Sequence, residues 1–236
     1  MNDSVIVFSC QWPVTAAVAA LTEPACSGPV IPVYTQQALE TALQKHRKSV
    51  VILGLNPHEY VCALHHLHSL LKGRRLLFIS RKLYWTDHVL PYFWGLDSCQ
   101  FCSLDDFYAP YRRRAILKQV MSVNRKRQAG RESDNIILGG APVKGRISLA
   151  KINIWLERQQ RDTGLIGREI SVLQTLVDGK RPEMDAQRIS HFKKRGLEKL
   201  QMSLHVMNLY RGIQLRAELQ ASLPQEERDT DRERRE

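Results

Sequence analysis

Along the first half of the chain, short apolar runs alternate with longer segments in which apolar residues recur every three or four positions. The short runs are typical of strands buried on both faces, and the longer segments are typical of amphipathic helices. The predicted strands are residues 4–9, 30–34, 50–55, 75–80 and 100–104. The predicted helices are residues 13–23, 35–47, 57–72, 84–94 and 108–123, with Thr35 and Pro57 at helix starts. This alternation predicts an α/β domain with a doubly wound, five-stranded parallel sheet, and the uniformly apolar run 50–55 suits a central strand.

Helical patterns dominate the second half of the chain. In the predicted helix 148–161, Leu149, Ile152 and Leu156 are spaced to face a core or a second copy of the chain. The last predicted helix covers residues 203–221. Its apolar face, suited to a dimer contact or a core, consists of Val206, Leu209, Tyr210 and Ile213.

The two halves are separated by residues 128–146, which are rich in glycine and polar residues. The predicted organisation is an α/β domain at 1–125, a linker at 126–147, an all-α domain at 148–222 and a charged, disordered tail at 223–236.

The net charge of +11 divides unevenly between these halves. Residues 1–110 hold 8 basic and 8 acidic groups, so the whole excess lies in residues 111–236. A neutral module joined to a basic one is expected when only the second binds a polyanion, although a solvated basic surface explains the charge equally well. The run 111–127 is interpreted as the solvated end of a helix that leads into the linker.

Cysteine and histidine spacings give little support for an enzyme or a metal protein. Cys99 and Cys102 have C-x-x-C spacing, but they lie on a predicted strand and no second Cys/His pair follows at zinc-finger spacing. Of the histidines at 65, 66 and 68, only His65 and His68 share a helix face. We therefore expect no enzymatic activity, metal or other cofactor. Because no long apolar run or signal peptide is visible, we expect a cytoplasmic protein with reduced thiols and no membrane partner.

The α/β half resembles the receiver domain of bacterial response regulators. That family places two acidic residues after the first strand, a phosphoacceptor Asp after the third and a Ser or Thr after the fourth. Here the corresponding positions are Cys10 and Gln11, Gly54, and Ser80, so only the last keeps the family's residue type. Without carboxylates, neither a Mg²⁺ site nor a phosphoryl acceptor is expected, and the resemblance implies a degenerate receiver.

The stretch 165–212 resembles the LuxR/FixJ-type helix-turn-helix domain. The family's first-helix pattern is matched by Leu165, Arg168, Glu169, Val172, Leu173 and Gly179, and the end of its recognition helix is matched by Lys199 and Leu200. Together the two halves resemble a response regulator of the RcsB/BglJ-like auxiliary group. The resemblance implies double-stranded DNA as a partner, and a homodimer or a heterodimer with a related LuxR-type regulator.

Residues 186–200 are the expected recognition helix, because their apolar residues fall on one face and the opposite face is basic. In the family this helix lies in the major groove of DNA. The side chains expected to contact DNA bases are Arg188, His191, Lys194 and Arg195. Those expected to contact phosphates are Lys193 and Lys199.

The resemblance departs from the family pattern between Gly179 and Arg188. Only eight residues lie between them, including Pro182, so the helix that normally supports the recognition helix is absent or reduced to one turn. A DNA-binding regulator is the first hypothesis. The alternative is an interaction protein without DNA binding that pairs with a response-regulator-type transcription factor and modulates it, and a redox protein built on Cys99 and Cys102 is the weakest hypothesis.

Overall fold

A five-stranded parallel sheet forms the centre of the first half of the protein. The computed structural model describes residues 4–122, 148–202 and 209–225. The strands are β1 (Val5–Ser9), β2 (Val30–Val33), β3 (Val50–Gly54), β4 (Leu76–Ser80) and β5 (Cys99–Ser103). Their spatial order is β2-β1-β3-β4-β5, and every pairing is parallel. This doubly wound order confirms the predicted α/β fold, fits a receiver-like domain and places β3 at the centre.

Helices cover both faces of this sheet, and their bounds mostly follow the sequence pattern. They are α1 (Trp12–Thr22), α2 (Gln36–Lys45), α3 (Val61–Leu71), α4 (Trp85–Phe93), α5 (Leu104–Tyr108) and α6 (Pro110–Ser122). Thr35 caps α2 as predicted, because its hydroxyl accepts a 3.2 Å hydrogen bond from the Ala38 amide. The prediction that Pro57 starts a helix is wrong. Residues 57–59 form a turn, and α3 begins only at Val61.

The helix predicted at 108–123 corresponds to α6, whereas the short α5 before it was not predicted, and Ala109 separates the two helices. Ala109 is extended, with φ −69° and ψ 116°. The ring of a proline disfavours helical geometry at the residue before it, which accounts for the break.

Alternate residues of the central strands enter two apolar layers. Val5, Ile52 and Leu77 pack toward α1 and α6. The opposite side chains, among them Phe8, Leu53 and Phe78, pack in a cluster that extends beyond α2, α3 and α4 into the second half of the chain. This period of two is the reason that nearly continuous apolar runs are needed in strands covered on both faces.

The second half forms α7 (Leu149–Asp162), α8 (Gly167–Val177), α9 (Ala186–Lys199) and the short α10 (Leu209–Ile213). Ile152 and Leu156 of α7 are fully buried, so this face enters a core within the chain. Helix α9 packs closely on α8 at Gly196, where an added Cβ would lie 2.8 Å from Leu173 Cδ1. The connection 178–185 contains no helix.

The predicted final helix at 203–221 is wrong over most of its described length. Residues 203–208, including Val206, lie outside the described residues, α10 ends at Ile213, and the chain then runs extended with one 3₁₀ turn at Ala217–Leu219. Asn153 of α7 accounts for the change, because its side chain bonds both backbone groups of Leu215, at 2.7 Å and 2.9 Å. These bonds replace the ones that a helix would have made.

Residues 209–225, the C-terminal strap, lie along the α/β domain. The Gln36 amide donates to the Pro224 carbonyl at 2.8 Å, and the Ala221 amide donates to the Glu59 carbonyl at 2.8 Å. Leu223 is buried. Leu223 and Pro224, predicted as part of a disordered tail, are therefore packed, because the Leu223 side chain is buried and the Pro224 carbonyl accepts a hydrogen bond. The rest of the predicted tail and the linker 126–147 lie outside the described residues.

Candidate functional site

The carboxyl ends of β1, β3 and β4 surround a cleft of about 270 Å³ that brings together Cys10, Gln11, Gly54 and Ser80. This is the edge at which ligands bind in open α/β sheets. Gly54, which the resemblance aligns with the phosphoacceptor of a receiver, has surroundings that leave no room for a side chain. A Cβ at Gly54 would lie 2.7 Å from Ser9 Cβ and 2.9 Å from Ser9 Oγ. A larger residue at position 54 would therefore require Ser9 to move.

Polar side chains at this edge bond to one another. The Ser9 hydroxyl donates to the Gly54 carbonyl at 3.0 Å, and the Ser80 hydroxyl donates to Asn56 Oδ1. The Asn56 amide donates in turn to the Lys82 carbonyl at 2.7 Å. Burial raises the pKa of the Cys10 thiol, so the thiolate is disfavoured. Within the residues that the structure describes, no group of three His, Cys, Asp or Glu side chains is placed to hold a metal.

Two carboxylates near the cleft are already engaged in structural contacts. Asp87 is fully buried and accepts hydrogen bonds from the His58 amide and the Tyr84 amide, both at 2.9 Å. It also lies 2.7 Å from Nδ1 of the buried His58. Glu59 lies 3.5 Å from His58 Nε2 and 2.9 Å from Arg211 Nη1 of the C-terminal strap. These contacts join the sheet edge to the second half of the chain.

The surroundings of His58 favour its protonated form. Burial opposes the charged imidazolium, but the hydrogen bond to Asp87 and the nearby carboxylate of Glu59 outweigh it and raise the pKa of His58 to about 9. The hydrogen bond from His58, together with the nearby Arg211 and against the effect of burial, holds the pKa of Glu59 below its usual range. The sequence analysis did not predict the pairing of His58 with Asp87, because these two residues are far apart in the chain and belong to no recognised motif.

The exposed face of α9 carries four of the six side chains predicted to contact DNA. The side chains of Arg188, Lys194 and Arg195 are 75%, 63% and 52% exposed, and His191 is also exposed. Arg188 Nε lies 3.2 Å from Asp185, and Lys194 Nζ lies 3.9 Å from Glu198. Exposed pairs of this kind are weak and readily exchanged for another anion. The structure therefore leaves this face accessible.

Lys199, predicted as a phosphate contact, is instead directed into the helical core. Its ammonium group lies 2.7 Å from Oε2 of the fully buried Glu169 and donates to the Gly164 carbonyl at 2.8 Å. Glu169 also accepts a 3.0 Å hydrogen bond from the Ile166 amide at the start of α8. Burial opposes ionisation of Glu169, but these bonds outweigh it and keep its pKa below the usual range. These contacts argue against a phosphate-binding role for Lys199.

Lys193, the other predicted phosphate contact, lies apart from the exposed face of α9. It is half-buried and lines a groove of about 430 Å³ between the C-terminal end of α8 and the N-terminal half of α9. The six predicted side chains thus divide into an exposed face, a groove and an internal ion pair.

Cys99 and Cys102 lie on β5 as predicted, and each thiol donates to a backbone carbonyl, of Leu96 and Ser103 respectively. Burial raises the pKa of both thiols, whereas reactive cysteines have a lowered pKa. The His65 and His68 rings stack on α3 with centroids 5.5 Å apart, as their spacing predicts. These contacts favour structural roles for both pairs.

Among the described residues, no helix has the length and apolar character needed to cross a membrane.

Comparisons with known proteins give only weak similarity. No protein-family model matches the chain, and no curated protein sequence matches it. A crystal structure of full-length FixJ from B. japonicum is similar over 89% of this chain and 94% of that chain, with 14% identity and a TM-score of 0.40.

Proposed function

We propose that the protein is a transcription regulator that binds double-stranded DNA through the exposed face of α9 and does not depend on phosphorylation. In this proposal α8 and α9 form a shortened LuxR-type helix-turn-helix, and the degenerate receiver places the protein with the RcsB/BglJ-like auxiliary regulators. The protein acts as a homodimer or with a related LuxR-type regulator, in the cytoplasm.

The basic face of α9 is the observation that carries the proposal. Buried Leu197 and Leu200 fix the helix to the rest of the domain, so the opposite face has a defined orientation. That face presents Arg188 and, about two turns further along, the adjacent Lys194 and Arg195. The major groove admits an α-helix, and arginine and lysine are the usual partners of guanine edges and phosphates.

Independence from phosphorylation is supported by the sheet edge. Gly54 offers no nucleophile, and Ser9 occupies the space that a side chain at position 54 would need. The nearest carboxylates, Asp87 and Glu59, are held by His58 and Arg211. A metal-dependent phosphoryl transfer to this edge therefore has neither an acceptor nor a free set of oxygen ligands.

The test is binding to duplex DNA across a salt series. We compare the wild type with an Arg188→Ala/Lys194→Ala variant and with Lys151→Ala/Arg158→Ala, which removes two exposed cations from α7 instead. The α9 variant alone should bind DNA more weakly, and its slope of log K against log salt should be shallower by roughly 0.9 for each removed cation that also neutralises a phosphate. Absence of binding by the wild type, or equal slopes for the three proteins, would contradict the proposal.

A second candidate is an interaction protein without DNA binding that pairs with a response-regulator-type transcription factor. One specific observation favours it. Trp12 is 66% exposed at the carboxyl edge of the sheet and stacks on Tyr34 at 6.4 Å between ring centroids. Exposed aromatic pairs of this kind are common in protein interfaces. Loss of partner binding in a Trp12→Ala variant, with no DNA binding by the wild type alone, would favour this second function.

A further inference from the structure

One longitudinal stripe of α9 is covered at one end of the helix and open at the other. Ile189, Lys193, Leu197 and Leu200 recur at helical spacing on this stripe. Leu197 and Leu200 are 0% and 2% exposed, whereas Ile189 is only half-buried and opens into the groove beside α8. The difference arises because the connection 178–185 contains no helix that could cover the N-terminal half of α9.

The lining of this α8–α9 groove combines an apolar floor with a basic rim. Leu176, Pro182 and Ile189 form the floor, and the charged lining residues are Lys180, Arg181 and Lys193. No acidic residue lines the groove. Asp178 lies 4.0 Å from Arg216 on the strap, and Glu183 is exposed outside the lining.

We propose that the α8–α9 groove binds an acidic amphipathic α-helix of a partner protein. The apolar side chains of such a helix would cover Leu176 and Ile189, in the helix-in-groove mode of recognition. Its flanking carboxylates would face Lys180, Arg181 and Lys193. DNA fits this groove less well than an amphipathic helix does. Phosphates bind cations without burying apolar surface, so the apolar floor would contribute nothing to DNA binding.

The proposal does not rest on DNA binding, because the groove and the exposed face of α9 use different side chains. Arg188, His191, Lys194 and Arg195 do not line the groove. Failure of one site therefore leaves the other testable with its own variants.

The probe is a fluorescently labelled synthetic helix with leucine at every third or fourth position and glutamate beside the leucines. The comparison peptide has lysine in place of glutamate. Binding to the full chain is measured by fluorescence anisotropy. We expect the acidic peptide to bind at least about tenfold more tightly than the basic one, and Lys180→Glu/Arg181→Glu to weaken it about tenfold. The matched control, Lys151→Glu/Arg158→Glu, makes the same charge change on α7 and should bind as the wild type does.

A second variant and a second readout locate the site. Ser190 is exposed and lines the groove, so Ser190→Trp should fill the groove and block the peptide without disturbing the core. Acetylation of Lys180 and Lys193, read by mass spectrometry, should slow when the peptide is bound, while acetylation of Lys151 should not.

Three results would overturn the proposal. They are no binding of the acidic peptide, equal binding of both peptides, and binding that neither Ser190→Trp nor the charge reversal at 180 and 181 affects. Protection of Lys180 and Lys193 by duplex DNA in place of the peptide would assign the groove to nucleic acid and also overturn it.

Discussion

Glu59, in the turn before α3, and Arg211, in the C-terminal strap, form an ion pair with 2.9 Å between Oε1 and Nη1. Two further bonds reinforce this contact. The Thr86 hydroxyl donates to the Arg211 carbonyl at 2.7 Å, and the side-chain amide of Gln220 donates through Nε2 to the His58 carbonyl at 2.8 Å. The ring of Trp155 on α7 also packs edge-on against Phe93 on α4, with centroids 5.3 Å apart. The helical half is therefore attached to the sheet edge by specific polar and aromatic contacts.

Breaking this ion pair should loosen the strap. Arg211→Ala and Glu59→Gln should each lower the free energy of unfolding by about 1 kcal/mol, because each change removes the charged hydrogen bond between these two partly buried side chains. Urea denaturation measures the effect. The double variant should cost less than the sum of the single variants. Additive costs would show that the two side chains do not stabilise the fold through each other.

Stability should depend on pH through His58. Its pKa is raised in the folded state to about 9, above the ordinary value of 6.5. The stabilisation is therefore fully present below about pH 6.5, and it is lost as the pH rises through about 9. We expect a contribution on the order of 2 kcal/mol at neutral pH. The stability difference between the wild type and His58→Gln should shrink across this window in urea titrations. A stability difference that does not change with pH would contradict protonation of His58 in the folded state.

Gly54 should resist substitution because of Ser9. Gly54→Ala should lower stability by about 1–3 kcal/mol, since the new methyl group overlaps the Ser9 side chain. Ser9→Gly/Gly54→Ala should recover part of that loss. Gly54→Asp should not incorporate phosphate from acetyl phosphate and Mg²⁺, as judged by intact mass. Recovery of phosphorylation by that single change would show that the edge retains a working site.

Lys199 should act on folding and not on DNA binding. Lys199→Met leaves Glu169 buried without its closest cation, and we expect a loss of about 2–4 kcal/mol of unfolding free energy. Glu169→Gln/Lys199→Met should recover part of this loss. The salt dependence of DNA binding by folded Lys199→Met should match that of the wild type. A shallower slope would restore Lys199 as a phosphate contact.

The sequence by itself determined the α/β architecture. Strands buried on both faces require nearly continuous apolar runs, and this local requirement made all five strands and the central place of β3 predictable. The capping hydroxyl of Thr35 and the exposed face of α9 could also be predicted from the sequence, because capping and helix periodicity depend on neighbours in the chain. The absence of a carboxylate at Gly54 followed from the residue type alone.

Only the tertiary structure decided which side chains meet across the chain. Both Lys199 and Arg195 are cations of the helical pattern, and both lie near the buried Glu169 on α8, but Lys199 is at 2.7 Å and mostly buried, whereas Arg195 is at 3.6 Å and half-exposed. The sequence pattern predicted a helix over residues 214–221, but the Asn153 side chain bonds the backbone of Leu215 and replaces the hydrogen bonds of a helix there. The pairing of His58 with Asp87 and of Glu59 with Arg211 likewise joins distant segments. Hydrogen bonds and ion pairs between distant residues have no periodic signature, so packing alone could place them.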